Sequence, residues 1–356
     1  MSVQFASREV AKVRSLPVQH WTEADRLAWC AACRPAERLK RGGAASHMKD
    51  ITRRDLIRRY GYFLDHVERT EGIDGNAPAA AYVTLDRVER FRAELQIRVS
   101  SVTVYGTIYK LRRMAQLIAP AQDFTWLSEI EKDLALVRQP KPKSHRLVYA
   151  HVLIEEGITL MVEADASTHR SALARARKFR NGLMIALLGA HPIRLKNFAA
   201  LEIGRSFRKI NGTWWIVLSA HETKEKRPDE RLIEAFLIPW VDRYLGIHRP
   251  VLARTDDGPS LLWLSSHDGQ AMTYLGVEKV ISETTLATVG IDVSPHLFRT
   301  SGVSTSAVYA GSSPHLGSAL LHHTDPAVTE RHYNHATNLS AAQSYAALIR
   351  TLRKHN

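Results

Sequence analysis

Regular patterning begins near Asp50, where Leu56, Tyr60, Phe63, Leu64 and Val67 recur at helical spacing with Arg53, Arg54, Arg58 and Arg59 between them. Apolar residues at such intervals share one face, so the segment predicts a basic amphipathic helix. A second helix is expected over 85–95, behind Thr84, whose hydroxyl suits an N-cap. A third covers 101–118, where Val104, Ile108, Leu111, Ala115 and Leu117 run beside Tyr105, Tyr109, Lys110, Arg112 and Arg113, and a fourth covers 126–137. Ahead of these, residues 1–48 mix Trp21, Trp29 and scattered charges with the breaker stretch Arg41-Gly42-Gly43-Ala44-Ala45-Ser46. They are expected as a loosely attached arm with one short helix.

The stretch Arg138-Gln139-Pro140-Lys141-Pro142-Lys143-Ser144 cannot continue a helix through its two prolines, and reads as a basic linker over 139–146. Beyond it, 147–163 and 171–188 have helical patterns, the second apolar enough toward its end to be buried. The period then shortens to two. Ser206-Phe207-Arg208-Lys209-Ile210 and Thr213-Trp214-Trp215-Ile216-Val217-Leu218 flank Asn211-Gly212, a pair suited to the positive φ angles of a tight hairpin turn. A third strand is expected over 235–238, ending at Pro239, and helical patterns return at 241–244 and onward, 275–289, 298–309, 318–321 and 340–353. The fold class is therefore mainly α with a small antiparallel β-sheet (α+β), arranged as an arm (1–48), a helical domain (49–138), a linker (139–146) and a larger domain (147–356).

With 45% hydrophobic and 24% charged residues over 356 positions, the chain has enough apolar material for two cores. A formal net charge of +13 favours polyanionic partners. No stretch approaches the roughly 18 to 20 apolar residues that span a bilayer, and residues 1–16 lack an apolar signal core. The expectation is a soluble cytoplasmic protein with no membrane partner, which moves the weight among polyanions to nucleic acid. Cys30 and Cys33 form the only CxxC pair, but a structural zinc site needs four ligands and only His20 and His47 lie near them in sequence. They read as two reduced thiols on a short helix.

The polar residues with chemical potential lie between His191 and His335. Arg194 follows an apolar run that ends at Ala190; Lys224 falls in His221-Glu222-Thr223-Lys224-Glu225-Lys226-Arg227, between the second and third strands. In Ser294-Pro295-His296-Leu297-Phe298-Arg299, Pro295 can open a helix and His296 and Arg299 then share a face. Leu320-Leu321-His322-His323-Thr324-Asp325-Pro326 leads to Glu330-Arg331-His332-Tyr333. The adjacent histidines have no ligand set to complete a metal site, so no metal and no cofactor are expected.

Arg194, Lys224, His296, Arg299, His323 and Tyr333 resemble, in type and order, the active site of the tyrosine site-specific recombinases, the phage integrase family. The likeness is good over 147–350, and residues 50–138 are similar in character to the family's core-binding domain. Departures stand at Pro192, where the family usually has glycine, at Asn197, where it usually has an acidic residue, and at His322, where glycine is usual. The resemblance implies DNA cleavage and rejoining through a 3′-phosphotyrosyl intermediate, with an origin in a mobile element.

The residue types agree with that chemistry. Two arginine forks match phosphate oxygens and offset the charge that builds at phosphorus, and His323 adds a hydrogen bond. Tyr333 is the nucleophile, His296 handles its proton, and Lys224 protonates the departing 5′ oxygen, though Lys226 on the same turn keeps the register open. No ATP loop of the GxxxxGK[ST] kind occurs. Phosphate-contact candidates are Arg53, Arg54, Arg58, Lys110, Arg112, Arg113, Lys141 and Lys143, with double-stranded recombination sites as the ligand. The resemblance further implies a homotetramer, or an assembly with related recombinases, on two DNA sites, and DNA-bending accessory proteins. Two rival readings are an inactive DNA-binding relative of the same fold and a type IB topoisomerase that relaxes DNA without exchanging partners.

Overall fold

A computed structural model describes residues 14–140, 144–224, 226–254 and 259–309. The chain divides into two compact units, Met1–Pro142 and Lys143–Asn356.

The first unit packs α1 (Glu23–Cys33), α2 (Asp50–Thr70), α3 (Leu85–Arg98), α4 (Ser101–Ile118) and α5 (Thr125–Leu136) around one core. The apolar stripe of α2 does what its spacing predicts: Leu56, Tyr60, Phe63, Leu64 and Val67 are all buried, against Val88 and Phe91 of α3 and Val104, Ile108 and Leu111 of α4. Each such side chain contributes about 1.5–3 kcal/mol when fully buried. Phe63 and Phe91 meet edge to face with centroids 5.5 Å apart, a favoured arrangement of two ring quadrupoles.

Residues 14–47 are not a loose arm. Trp21, Trp29, Ala32 and Ala45 belong to the same core, and Trp21 packs edge-on against Tyr60 at 4.9 Å. Thr22 caps α1 by accepting from the Asp25 N–H at 3.1 Å. Asp25, only 1% exposed, accepts from the Tyr60 hydroxyl and from the Ala80 N–H, each at 2.8 Å. The glycines that look like breakers serve close approach instead. A Cβ at Gly43 would lie 2.2 Å from the Ala31 carbonyl oxygen, so only glycine lets this strand of chain pass over the end of α1. A breaker and a contact glycine look alike in sequence.

In the second unit, α6 (Ala150–Ala166) pairs with α7 (Ala172–Ala190), whose last two turns are buried on nearly every side. A three-stranded antiparallel sheet follows, β1 (Phe207–Ile210), β2 (Thr213–Leu218) and β3 (Asp229–Leu232), in the order β1-β2-β3. Ile210 pairs with Thr213 across Asn211 and Gly212, whose φ angles of 50° and 81° make the two-residue turn with both centres left-handed. Trp214, Ile216 and Leu218 alternate inward on β2.

The third strand is Asp229–Leu232, not 235–238. Its pairing runs from Trp215↔Leu232 to Leu218↔Asp229, set by backbone register, and its charged side chains suit an edge. The apolar residues after it lead instead into α9 (Ile238–Arg243), with Pro239 in its first turn, where the missing N–H costs nothing. A single π turn, Tyr244–His248, and α10 (Arg249–Ala253) continue directly from it. The rest of the described chain is α11 (Tyr274–Val289), capped by Thr273, and α12 (Pro295–Tyr309). The expected helices at 318–321 and 340–353 lie outside the described residues.

Candidate active site

The buried end of α7 fixes the first cationic position. After Ala190 the chain passes through buried His191, Pro192 and Ile193, and Arg194 stands at the N-cap of α8 (Leu195–Ala199). Leu195, Phe198 and Ala199 are buried, and the Phe198 carbonyl accepts from the indole N–H of Trp263 at 2.9 Å, so α8 is anchored from inside.

Pro295 opens α12, as its fixed φ favours, and places His296 exposed and Arg299 buried at 8% exposure. Arg299 Nη1 donates to the Pro192 carbonyl oxygen at 2.7 Å. The helix carrying the second arginine is thereby tied to the corner that precedes the first.

Lys224 stands exposed on the β2–β3 turn, and the turn itself is braced from below. Buried Thr223 donates to the Arg227 carbonyl at 2.6 Å and accepts from the Arg227 N–H at 3.1 Å. Glu222 accepts from Ser219 Oγ at 2.6 Å and from Arg205 Nη1 at 2.7 Å. Burial pushes the Glu222 carboxyl upward, but the hydrogen bonds from Ser219 and Arg205 outweigh it and hold its pKa down at about 2. The carboxylate is thus a permanent brace at neutral pH.

Arg194, Lys224, His296 and Arg299 line one cleft of about 390 Å³. Three separate stretches of chain supply them. Lys226, with φ of 54°, is not among the lining residues, whereas Lys224 is. Lys196, Tyr274 and Glu278 also line the cleft, and sequence reading did not single them out. Tyr274 and Glu278 are four apart on α11 and so share a face, but only the folded chain brings that face to Arg194. His323 and Tyr333 lie outside the described residues.

The candidate phosphate contacts of the first unit divide by what already holds them. Arg54, Arg58 and Lys110 line a shallow groove with Thr52 and Asp55. Asp55 accepts from Arg58 at 3.0 Å and lies 3.4 Å from Lys110; burial raises its carboxyl, and these cations more than offset that, leaving it below the ordinary range. Arg53 instead donates to the Ala45 and Ser46 carbonyls at 3.2 and 2.7 Å, fastening the N-terminal segment to α2. Arg112 pairs with Glu131 of α5 at 2.6 Å. Arg113 is half-buried on α4, and Lys141 and Lys143 lie outside the described residues.

Among the described residues no group of three or more His, Cys, Asp or Glu could hold a metal ion, and no helix is long and apolar enough to cross a membrane. Cys30 is exposed and Cys33 half-buried, both as free thiols.

The model of the phage integrase family matches residues 152–339, more than half of the 356-residue chain. No curated protein matches. Among solved structures, the XerH site-specific recombinase bound to difH substrate, a pre-cleavage complex, aligns with a TM-score of 0.52 at 16% identity, covering 92% of this chain and 99% of that one. The XerH post-cleavage complex on palindromic difH aligns with a TM-score of 0.47 at 14% identity, covering 93% and 99% of the two chains. The XerA recombinase aligns at 0.40 and 16% identity, covering 85% and 94%. The first of these shares the fold.

Proposed function

From the premise that the chain belongs to the phage integrase family of tyrosine site-specific recombinases, we propose that it cuts and rejoins double-stranded DNA at specific sites through a covalent bond from Tyr333 to a backbone phosphate. The observation that carries this reading is the single cleft lined by Arg194, Lys224, His296 and Arg299. Their order and types are those the family chemistry needs, and three distant segments converge to supply them.

In this reading Arg194 and Arg299 hold the non-bridging oxygens of the scissile phosphate and offset the charge that accumulates as phosphorus becomes five-coordinate. Fixed guanidinium forks supply the electrostatic stabilisation that a divalent metal supplies in other phosphodiester chemistry. His296 accepts the Tyr333 proton, His323 donates to the phosphate, and Lys224 protonates the 5′ oxygen as it leaves. The phosphotyrosyl ester conserves the phosphodiester energy, so a 5′-hydroxyl from a second duplex reseals the strand without ATP.

Arg54, Arg58, Lys110 and Arg113 are the phosphate contacts of the first unit in this proposal, while Arg53 and Arg112 serve the fold. Exchange between two duplexes requires four cleavages, which four copies, or copies mixed with related recombinases, supply on two sites, with bending proteins aiding assembly. The setting is the cytoplasm, on nucleoid or mobile-element DNA.

A nicked suicide substrate, whose cleaved end cannot be resealed, tests the chemistry on a denaturing gel. Wild type forms a protein–DNA adduct in EDTA as well as without it, and Tyr333→Phe forms none while still binding. An adduct from Tyr333→Phe, or loss of the wild-type adduct in EDTA, overturns the assignment. A circle carrying two sites then separates recombination from topoisomerase action, since only the former yields recombinant products.

A further inference from the structure

Lys196 shares the catalytic cleft and has no role in the scheme above. Its direction follows from α8. With Leu195, Phe198 and Ala199 buried and the Phe198 carbonyl bonded to Trp263, the helix cannot rotate, and Lys196 is left exposed on the side that opens to the cleft. Its ammonium makes no ion pair with Glu278 or any other carboxylate among the described residues. The next residue, Asn197, is uncharged, so nothing on α8 offsets the lysine.

The cations of this cleft form a gradient of burial. Arg299 is 8% exposed, Arg194 is half-buried, and Lys196 is exposed at the rim. Arg194 is the N-cap of α8, with extended backbone, while Lys196 lies in the first turn of the helix, so the two side chains leave the chain in different directions. A DNA strand presents its phosphates at short, regular intervals, about one per 3.4 Å of axial rise. A strand whose scissile phosphate lies between the arginines must carry a neighbouring phosphate past the rim.

On the reading of this cleft as the cleavage site, we propose that Lys196 holds the backbone phosphate adjacent to the scissile one. A lysine suits that position. It is a compact point charge on a flexible stem, able to hold a phosphate that undergoes no change in geometry, whereas the scissile phosphate needs planar forks. The contact is equally strong before and during cleavage, so its loss appears in affinity.

The test uses the full chain with Lys196→Gln, an exposed substitution that removes the charge and keeps a polar side chain one atom shorter. Duplex binding is measured by fluorescence anisotropy over a range of salt. The log–log salt slope should be smaller in magnitude by about 0.9, so that the variant's deficit shrinks roughly threefold to fourfold between 50 and 200 mM salt. Neutral methylphosphonates are then placed singly along the strand. At the phosphate next to the scissile one, wild type and variant should bind alike; at every other position the gap should persist. An unchanged salt slope, or a gap that survives every methylphosphonate, overturns the proposal. Arg194→Ala run in parallel keeps the two readings apart: normal cleavage by that variant sinks the assignment of the cleft, whatever Lys196 does.

Discussion

Arg299 of α12 donates a hydrogen bond to the carbonyl oxygen of Pro192 at 2.7 Å, joining two segments more than a hundred residues apart at the floor of the cleft. A guanidinium carries five N–H donors in a planar fork, and in the proposed site the same group that holds this carbonyl meets the phosphate. Arg299→Lys keeps the charge and loses the fork. Single-turnover cleavage of a suicide substrate should slow by about 10²-fold to 10³-fold, the usual cost of one transition-state donor. A lysine variant that cleaves at the wild-type rate would mean that charge alone suffices there.

Lys224 and the arginines should differ in how they respond to the leaving group. Sulfur in place of the bridging 5′ oxygen removes most of the need for a general acid. Lys224→Ala should therefore be slow on normal DNA by about 10²-fold to 10⁴-fold and largely restored on the 5′-thio substrate, while Arg194→Ala is not restored. Restoration of Lys226→Ala instead would move the acid two residues along the turn, against the lining of the cleft.

Arg53 and Arg54 are adjacent yet differently committed, and their alanine variants should fail in different assays. Arg53→Ala loses two hydrogen bonds to the Ala45 and Ser46 carbonyls, and should cost about 1.5–3 kcal/mol of stability with an unchanged salt slope of DNA binding. Arg54→Ala should keep its stability and lose about one unit of salt slope. Identical salt slopes in wild type and Arg54→Ala would remove the α2 groove from the DNA-contact surface.

Burial pushes the Asp25 carboxyl above its ordinary value of 3.8, and hydrogen bonds from Ala80, Tyr60 and Thr22 offset only part of that rise. Between the unfolded and folded values the native state holds a proton that the unfolded chain has released, so stability falls as pH rises through that window. Asp25→Asn cannot ionise and should flatten the dependence, while losing about 1 kcal/mol from a weaker acceptor. Hydrogen-exchange protection of α2 amides, followed from about pH 4 to pH 7, reads this directly. Parallel curves for the two proteins would place the titrating group elsewhere.

The helices of the first unit were legible because Leu56, Tyr60, Phe63, Leu64 and Val67 carry their period locally, and the hairpin because Asn211-Gly212 satisfies two positive φ angles at once. What sequence reading missed depends on partners distant in the chain. Asp229–Leu232 becomes a strand because β2 pairs with it, although its residues are charged. Trp21 and Asp25 look like surface residues until Tyr60 is placed beside them. Order and type in the sequence singled out Arg194, Lys224, His296 and Arg299, which line one cleft, but Lys196, Tyr274 and Glu278 enter that cleft only through the packing of α8 and α11.

The side chain of Asp25 joins α1 to Tyr60 of α2 and to the backbone at Ala80, so three stretches of chain meet on one buried carboxyl group. That junction sets where the protein can be shortened. A fragment begun at residue 49 would strip the Tyr60 hydroxyl of its acceptor and open the ring face that Trp21 covers, so trimming meant to isolate α2 to α5 would destabilise them. A fragment of this unit that keeps these contacts starts ahead of Trp21, and a protease that nicks the chain between α1 and α2 should leave two halves that remain bound to each other.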